Sequence, residues 1–383
     1  MAKETENFSI ENIIKGYITG FFDAEGMVRI DDTGNLALLI NQTYKPVLEK
    51  INNLFKSPSG IKVHSRGKDG RKDAFTWRQN SDEAISFLEY VQTYSYEKRK
   101  QIEFALIYQK EIRKSHRDSR SGGMFRLSQL EIDQREYFKT LIENLKHETP
   151  DESTIKSYEE EIEKLKVPKQ SKNQLTIFSF DEPNIETKKQ EQNLVTSNDI
   201  QNNTKNKTEN NVPEMPSDIN IGYLAGFFDG EGYIGIDKGK KGSYTLRVAI
   251  TNSNFRMLQV YEKIYGGKIR LYKKKLKESY KTKYQWGIDI NEALKFLRTI
   301  HPYTSVKRAQ IELAISFQEW HTQIRKIKTY EQIEKAEWYY KMMKDLKQVT
   351  GETDEQPDTE YEPESIEVNG VKYRQVTVDT LLT

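Results

Sequence analysis

The sequence predicts an α+β protein made of two pseudo-symmetric αββαββα units, each a four-stranded antiparallel saddle sheet backed by helices. The stretch GYITGFFDAEGMVRI at 16–30 returns as GYLAGFFDGEGYIGI at 222–236. Further matching segments follow both copies in the same order, and chance does not produce such a series. With 383 residues, the chain is long enough for two domains of ordinary size.

The predicted elements of the first copy rest on the spacing of apolar residues, which changes between helical and alternating periods. In chain order they are a helix over 10–23, a hairpin of 27–31 with 36–42, a helix over 44–56, a hairpin of 61–66 with 74–79, and helices over 82–91 and 96–113. The second copy repeats this order from about residue 219 to residue 320.

Matches outside the two glycine-rich stretches support the duplication. Trp77 corresponds to Trp286, and YSYEKRKQIEFAL at 94–106 corresponds to YTSVKRAQIELAI at 303–315. The similarity extends to REYFKTLIENLK at 135–146, whose partner is AEWYYKMMKDLK at 336–347. We therefore expect each unit to carry a helical extension beyond its core.

Composition divides the chain into four regions. The segment SYEEEIEKLK at 157–166 predicts a charged helix. Residues 168–217 after it are dominated by Asn, Lys, Gln, Thr and Glu, which predicts a flexible linker with little to bury. Near the end, 351–367 carries eight acidic and no basic residues, and IEVNGVKYRQVTV predicts a short hairpin around Asn-Gly. The predicted regions are a first unit with extension at 8–150, a charged and polar linker at 151–217, a second unit with extension at 218–348, and an acidic tail with a hairpin at 349–383.

Several protein classes are excluded by composition. Cysteine is absent, so a disulfide framework and thiolate zinc sites are excluded, and a reducing compartment is expected. No apolar run approaches the length of a membrane span, and the first residues lack the features of a secretion or transit signal. We expect a soluble protein without membrane contact, acting in the cytoplasm or within an organelle.

Glycines recur at every fourth position of the first predicted helix of each copy, where each interior glycine costs about 1 kcal/mol relative to alanine. Residues four apart lie on one helix face, so a second helix can approach backbone to backbone. We expect these two helices to pack together at the interface between the units and to bring Glu25 and Glu231 side by side. The predicted contact residues are Gly16, Gly20, Gly222 and Gly226.

Two neighbouring carboxylates at helix C-termini need a compensating charge, because the helix dipole favours anions at the other end. A divalent cation would supply it, and Mg²⁺ prefers carboxylate, carbonyl and water oxygens. The alternative is that the glutamates are solvated and that Asp23 and Asp229 are turn formers. Because the complete pattern occurs twice, we favour the metal site.

The segments ITGFFDAEG and LAGFFDGEG resemble the LAGLIDADG motif of homing endonucleases, in the arrangement of single-chain members with two motifs. The resemblance implies that Glu25 and Glu231 hold the catalytic metal, with help from the backbone carbonyls of Ala24 and Gly230. It implies Mg²⁺ as cofactor, with Mn²⁺ as another suitable ion, and a monomer that contains both halves of the site.

The resemblance also assigns further catalytic residues. Gln42 and Asn252 end the second strand of each unit, where family members carry a polar residue that orders water. Lys98 and Lys307 begin the last long helix of each unit, where a basic residue points into the site. Read without the family, these would be ordinary strand-end and solvated helix residues, and the paired placement favours the catalytic interpretation.

Basic residues concentrate on the predicted sheets, with fourteen Lys and Arg against three Asp and Glu between 237 and 285. A basic two-stranded ribbon fits the major groove of DNA, and phosphate contacts supply affinity. The alternative is a solvated sheet edge whose lysines discourage aggregation. The predicted DNA-binding residues are Lys62, Arg66, Lys68, Arg71, Arg78, Lys238, Lys240, Arg247, Lys268, Arg270, Lys273, Lys275 and Lys283.

The resemblance implies a site-specific, metal-dependent endonuclease that cuts both strands of a long, largely asymmetric double-stranded DNA site. A different class of function stays open: an RNA-binding splicing cofactor of an intron, or maturase, on the same scaffold, with or without cleavage. A degenerate DNA-binding regulator is a third alternative. The intact acids of both copies argue against the third.

Overall fold

The computed structural model describes residues 9–64, 73–113, 129–147, 150–166, 220–239, 242–272, 282–288, 290–324, 327, 329–348, 366–368 and 371–373. Two units of the same element order lie in these ranges. The first consists of α1 (Ile10–Glu25), β1 (Gly26–Ile30), β2 (Leu36–Gln42), α2 (Lys45–Leu54), β3 (Ile61–His64), β4 (Ala74–Asn80), α3 (Ser81–Gln92) and α4 (Arg99–Ile107), with a π-helical turn at Tyr108–Ile112.

Two helices follow the first unit, and the second unit repeats its order. These two helices are α5 (Gln129–His147) and α6 (Glu152–Leu165). The second unit consists of α7 (Ile221–Glu231), β5 (Gly232–Lys238), β6 (Tyr244–Asn252), α8 (Phe255–Tyr265), β7 (Lys268–Leu271), β8 (Tyr284–Ile288), α9 (Ile290–Ile300) and α10 (Arg308–Ile324), followed by α11 (Tyr330–Leu346).

Each unit contains one antiparallel sheet of four strands. The strand orders are β1-β2-β4-β3 and β5-β6-β8-β7, so the two sheets have the same topology. Ile40 pairs with Trp77 in the first sheet, and Ile250 pairs with Trp286 in the second. The predicted αββαββα duplication is confirmed, including the correspondence of the two tryptophans.

The tryptophans anchor the core between each sheet and its helices. Both indole side chains are fully buried. Trp77 packs 5.0 Å from the ring of Phe87 on α3, and Trp286 packs 5.4 Å from the ring of Phe296 on α9. Large aromatic groups in equivalent places supply much of the apolar area that stabilises each unit.

The helical extensions cover the outer edge strands. β1 and β5 end their sheets, and α5 and α11 pack against them. Lys139 of α5 lies 2.6 Å from Asp32 beyond β1, and Lys238 of β5 lies 2.6 Å from Glu337 of α11. Each extension is thus held to the end strand of its sheet by packing and by an ion pair.

Within the range predicted as a linker, the helix predicted at 157–166 forms the C-terminal part of α6. The side chain of Ile162 on α6 is buried, and Lys100 of α4 lies 3.3 Å from Glu159. Positions 167–217 of that range lie outside the described residues, as do 349–365 of the predicted acidic tail. Near the end, Ile366–Val368 pairs with Val371–Tyr373 as β9 and β10 of a small hairpin. No described helix is both long and apolar enough to cross a bilayer.

Candidate active site

The two helices that carry the repeated motifs, α1 and α7, meet through their glycines. A Cβ atom added to Gly20 would lie 2.9 Å from the amide nitrogen of Phe227, and one added to Gly226 would lie 2.9 Å from that of Phe21. Either atom would overlap the opposing backbone, which has no room to move aside. The helices therefore touch backbone to backbone at both glycines.

The outer glycines serve the same contact in different ways. A Cβ atom on Gly222 would lie 2.9 Å from the carbonyl carbon of Ile13, again on the opposing backbone. A Cβ atom on Gly16 would overlap the side chain of Asn220 instead. That asparagine caps α7 by accepting from the Tyr223 amide at 2.9 Å, so Gly16 makes room for the cap.

The first acid of each motif is a buried capping group. Asp23 is fully buried and accepts hydrogen bonds from the Ser95 hydroxyl at 2.7 Å and from the backbone N–H groups of Tyr96 and Glu97 at 2.8 and 2.9 Å. These bonds fix the turn that precedes α4. The helix predicted over 96–113 begins only at Arg99 because this turn occupies its first residues.

Asp229 has the same role in the second unit. Its carboxylate accepts from the backbone N–H groups of Ser305, Val306 and Lys307 at 2.7, 3.0 and 3.0 Å. Burial raises the pKa of Asp229, and Lys307 together with the donated hydrogen bonds opposes this rise. Asp23 and Asp229 therefore shape the segments before α4 and α10.

These segments end at the two predicted lysines. The Lys98 ammonium is buried and donates to the backbone carbonyl of Asp23, and the Lys307 ammonium donates to the carbonyl of Asp229. Lys307 Nζ also lies 3.4 Å from the carbonyl oxygen of Gly230. Burial lowers the pKa of Lys307, against the opposing charges of nearby carboxylates. Both ammonium groups thus face the C-terminal ends of the motif helices.

The two glutamates that end α1 and α7 lie in a shared electrostatic environment. Burial raises the pKa of Glu25 to about 7; Lys307 opposes this shift, and Glu231 adds to it. Burial likewise raises the pKa of Glu231, and the charges of Lys98, Lys283 and Lys307 oppose it. A raised carboxylate pKa caused by desolvation and a like charge is common at functional sites.

The surroundings of Glu25 and of Glu231 form two centres, and each centre combines residues of both copies. The main opposing charge on Glu25 is Lys307 of the second copy, and that on Glu231 is Lys98 of the first copy. A Cβ atom on Gly230 would lie 3.1 Å from Cγ of Glu25, so the two motif ends are in close contact. The helix crossing therefore produces two composite centres rather than one centre per unit.

A cleft of about 270 Å³ opens onto the Glu25 centre. It contains the predicted residues Glu25, Gln42, Gly230 and Lys307. Asn252 is buried at the end of β6, outside the lining of this cleft. The structure therefore brings four of the predicted site residues into one cavity.

The strand-end amides are also held by local hydrogen bonds. Gln42 Oε1 accepts from the backbone N–H of Thr43 at 2.7 Å, and Asn252 Oδ1 accepts from that of Asn254 at 2.7 Å. These bonds form the turns before α2 and α8. The carbonyl ends of both amides thus have a structural role in these turns.

The predicted DNA-binding residues divide between the two faces of the sheets. Strand alternation places Lys62, Arg78, Arg247, Lys268 and Arg270 on the face opposite the buried tryptophans. Lys238 lies on the other face, against α11, where its ammonium is paired with Glu337, and its role in DNA binding stays a prediction. Arg66, Lys68, Arg71, Lys240, Lys273 and Lys275 lie outside the described residues.

We call the sheet face opposite the buried tryptophans the open face. Polar side chains on this face contact one another. Arg247 donates to Gln285 Oε1 at 3.0 Å, and Gln285 donates to Thr251 Oγ1 at 2.9 Å. In the first unit, Arg78 Nε donates to Asn80 Oδ1 at 2.6 Å. Lys283 lies beside the Glu231 centre and lowers the pKa of that carboxyl, so it belongs to the edge of the site.

Sequence reasoning missed the tyrosines that precede both motifs. Tyr17 donates to Asp229 at 2.8 Å, and Tyr223 donates to Asp23 at 2.7 Å. The sequence did contain an indication of their importance, because GYITG and GYLAG carry tyrosine at equivalent positions. Lys347, which lies 4.1 Å from the ring centre of Tyr233 and lines the cleft, was also missed.

Comparisons with known proteins identify the architecture. No protein-family model and no curated protein sequence matches the chain. Among solved structures, it is similar to the I-LtrWI LAGLIDADG homing endonuclease bound to target DNA, with a TM-score of 0.56 and 14% identity, over 87% of this chain and 98% of that chain.

Two further structures give the same result. The LAGLIDADG meganuclease I-AabMI bound to uncleaved DNA has a TM-score of 0.53 and 17% identity, over 86% of this chain and 98% of that one. I-SmaMI, bound to an uncleaved DNA target in the presence of calcium ions, has a TM-score of 0.53 and 14% identity, with the same coverage. At such identities the likeness establishes a shared fold.

Proposed function

We propose that this chain, which has the fold of LAGLIDADG homing endonucleases, is a site-specific, metal-dependent double-strand DNA endonuclease. The observation that carries the proposal is the pair of composite centres at the crossing of α1 and α7. Each has a desolvated glutamate, backbone carbonyls of the opposite motif and a lysine held in place by a buried aspartate.

The donor set of these centres fits a hard divalent cation. Among the described residues, no group of three or more His, Cys, Asp and Glu side chains is arranged so that it could hold a metal ion. Mg²⁺ does not need one, because it commonly uses one or two carboxylates and completes its shell with water and other oxygens. Glu25 and Glu231 would hold the ion, with the carbonyls of Ala24 and Gly230, and Mn²⁺ would fit the same oxygens. The bound ion would supply charge for the attacking and leaving oxygens of phosphodiester hydrolysis.

The remaining residues would act on the phosphate and on water. Lys98 and Lys307 are fixed at the centres and would stabilise the negative charge that develops on the phosphate. Gln42, in the cleft beside Glu25, would orient water through its NH₂ group. Asn252 holds the equivalent position at the end of β6.

The open faces of the two sheets would bind the DNA. Lys62, Lys268 and Arg270 are exposed there, and a basic antiparallel ribbon fits the major groove. Because the open face of the first sheet and that of the second sheet carry different side chains, the two halves of the target would differ in sequence. One chain supplies both halves of the interface, so we propose a monomer acting on one long, asymmetric site.

DNA in the solved relatives supports this choice of nucleic acid. The RNA-binding splicing cofactor considered from the sequence gains no support from any described residue, and the related structures are complexes with DNA. Encoding within an intron, and any help to its splicing, would be decided by the context of the gene. If the reading frame lies in an intron, the joined exons should contain the target.

A cleavage selection tests the proposal and finds the target sequence in the same experiment. Purified protein is incubated with a randomised double-stranded DNA library and with the joined flanking sequence of its gene, in Mg²⁺ or in EDTA. We expect double-strand breaks at one related set of sequences in Mg²⁺ only. The matched control is the double variant Glu25→Gln/Glu231→Gln, which keeps the side-chain size and should bind without cutting. Cleavage by the double variant at the wild-type rate would disprove the assigned centres.

A further inference from the structure

We infer that Tyr17 and Tyr223 are positioning residues that make each lysine of the two centres depend on the opposite copy. This inference rests on the proposed endonuclease function and goes beyond it, because it couples the cutting of one strand to side chains of the other unit. The tyrosines are fully buried at the helix crossing. Their hydroxyls donate to the aspartates of the motifs, so their influence on the glutamates passes through other groups.

The coupling begins with two reciprocal hydrogen bonds across the interface. Tyr223 of the second copy donates its hydroxyl to Asp23 Oδ2 of the first copy at 2.7 Å. Tyr17 of the first copy donates to Asp229 Oδ2 of the second copy at 2.8 Å. A buried carboxylate depends on its donors, because each hydrogen bond that is removed leaves charge without compensation.

The same carboxylate oxygens organise the segments before the lysines. Asp23 Oδ2 accepts the N–H groups of Tyr96 and Glu97 in addition to the tyrosine hydroxyl. Asp229 Oδ2 accepts those of Ser305 and Val306 in the same way. Rotation of either carboxylate after loss of the hydroxyl would therefore loosen the turn that it holds.

Each chain of contacts starts at a tyrosine, crosses to the aspartate and lysine of the other copy, and returns to the glutamate of the tyrosine's own copy. From Tyr223 the chain runs through Asp23 to Lys98, which is the first opposing charge on Glu231. The chain from Tyr17 runs through Asp229 to Lys307, which lines the same cleft as Glu25. Removal of one hydroxyl should therefore disturb one centre more than the other.

Strand-resolved cleavage separates this role from a general structural one. Tyr17→Phe and Tyr223→Phe are compared on a target labelled differently on each strand, with binding measured in Ca²⁺. Because small displacements of a catalytic group reduce rates steeply, we expect each variant to slow one strand about tenfold. The two variants should slow opposite strands, without a matching loss of DNA affinity. The control is Tyr261→Phe, which removes a buried hydroxyl donating to the Leu224 carbonyl at 2.7 Å.

Hydrogen exchange on the DNA-free protein gives a readout that does not depend on activity. In Tyr223→Phe, the amides of residues 96–98 should exchange faster while those of residues 305–307 keep the wild-type rate, and Tyr17→Phe should show the reverse. Equal slowing of both strands, slowing of the same strand, or exchange like that of Tyr261→Phe would overturn the inference. Absence of any cleavage by the wild type would refute the proposed function instead, and the exchange pattern would still decide the coupling. If one variant fails to fold, the other decides alone.

Discussion

At the scale of single residues, each acid of the repeated motif has its own task. Asp23 and Asp229 are surrounded by N–H and hydroxyl donors, which stabilise a charged carboxylate inside the protein. Glu25 and Glu231 lie at helix C-termini, where the dipole disfavours them and burial raises both pKa values. Two residues apart in each motif, one acid holds a turn and the other is the acid that we propose as a metal ligand.

The raised pKa of Glu25 predicts a pH-dependent cost in stability when metal is absent. Because the pKa of about 7 in the folded protein exceeds the ordinary 4.5, the folded state holds the proton more tightly. The contribution of this tighter proton binding to the stability of the fold is complete below pH 4.5 and is lost as the pH rises to about 7. In EDTA, Glu25→Gln should therefore gain thermal stability over the wild type progressively across that range.

Thermal unfolding between pH 4.5 and 8, with EDTA throughout, measures the difference between this variant and the wild type. Glu49→Gln provides the matched control, since the Glu49 side chain is 47% exposed and pairs with Lys45 on the surface of α2. A constant difference between Glu25→Gln and the wild type over the whole range would contradict the assigned pKa.

At the scale of elements, the glycines of α1 and α7 set the distance between the two centres. Their positions could be predicted from sequence, because only a face without side chains allows such close approach. What the pattern did not indicate is the asymmetry at Gly16, which accommodates the side chain of Asn220 rather than a helix backbone.

Adding a single methyl group at the crossing should separate the helices. We expect Gly20→Ala and Gly226→Ala to lower the unfolding free energy by about 1–3 kcal/mol, although alanine favours helix formation, because the added Cβ meets opposing backbone. Chemical denaturation measures this loss. Gly287→Ala is the control, since an added Cβ there has nothing within 4 Å. Equal stability of the Gly20, Gly226 and Gly287 variants would contradict the close contact.

The two faces of the second sheet should differ in their effect on DNA binding. Arg270→Ala and Lys268→Ala remove exposed charges from the open face and should weaken binding, with the salt slope reduced by about one for each phosphate that is no longer neutralised. Lys238→Ala should leave affinity nearly unchanged, because Lys238 pairs with Glu337 on the covered face. Binding titrations at several salt concentrations test this. A larger loss for Lys238→Ala than for Arg270→Ala would reverse our assignment of the faces.

At the scale of the whole molecule, duplication made the fold predictable. Two imperfect copies allowed each strand and helix to be checked against its counterpart, as with Trp77 and Trp286. Sequence could also place Glu25 and Glu231 together, since both end a helix with the same contact face. It could not assign Lys98 to Glu231, because that pairing depends on how the two units cross.

Tertiary contacts determine two features that the local sequence did not indicate. Lys238 belongs to a strongly basic stretch, and only the packing of α11 shows that its ammonium pairs with Glu337. The helix predicted at 157–166 is present in α6, but the burial of Ile162 could not be read from its charged sequence. In both cases the deciding partner lies far away in the chain, where local pattern carries no information about it.

The central claim is that the crossing of α1 and α7 creates two composite centres, each cutting one DNA strand. Its most direct test is strand-resolved digestion of the selected target in Mg²⁺ by the single variants Glu25→Gln and Glu231→Gln, with wild-type protein alongside. We predict that each variant loses double-strand cleavage and retains DNA binding. If the variants still nick the DNA, Glu25→Gln and Glu231→Gln should nick opposite strands. Wild-type double-strand cleavage by either variant, or nicks by both on the same strand, would contradict the account.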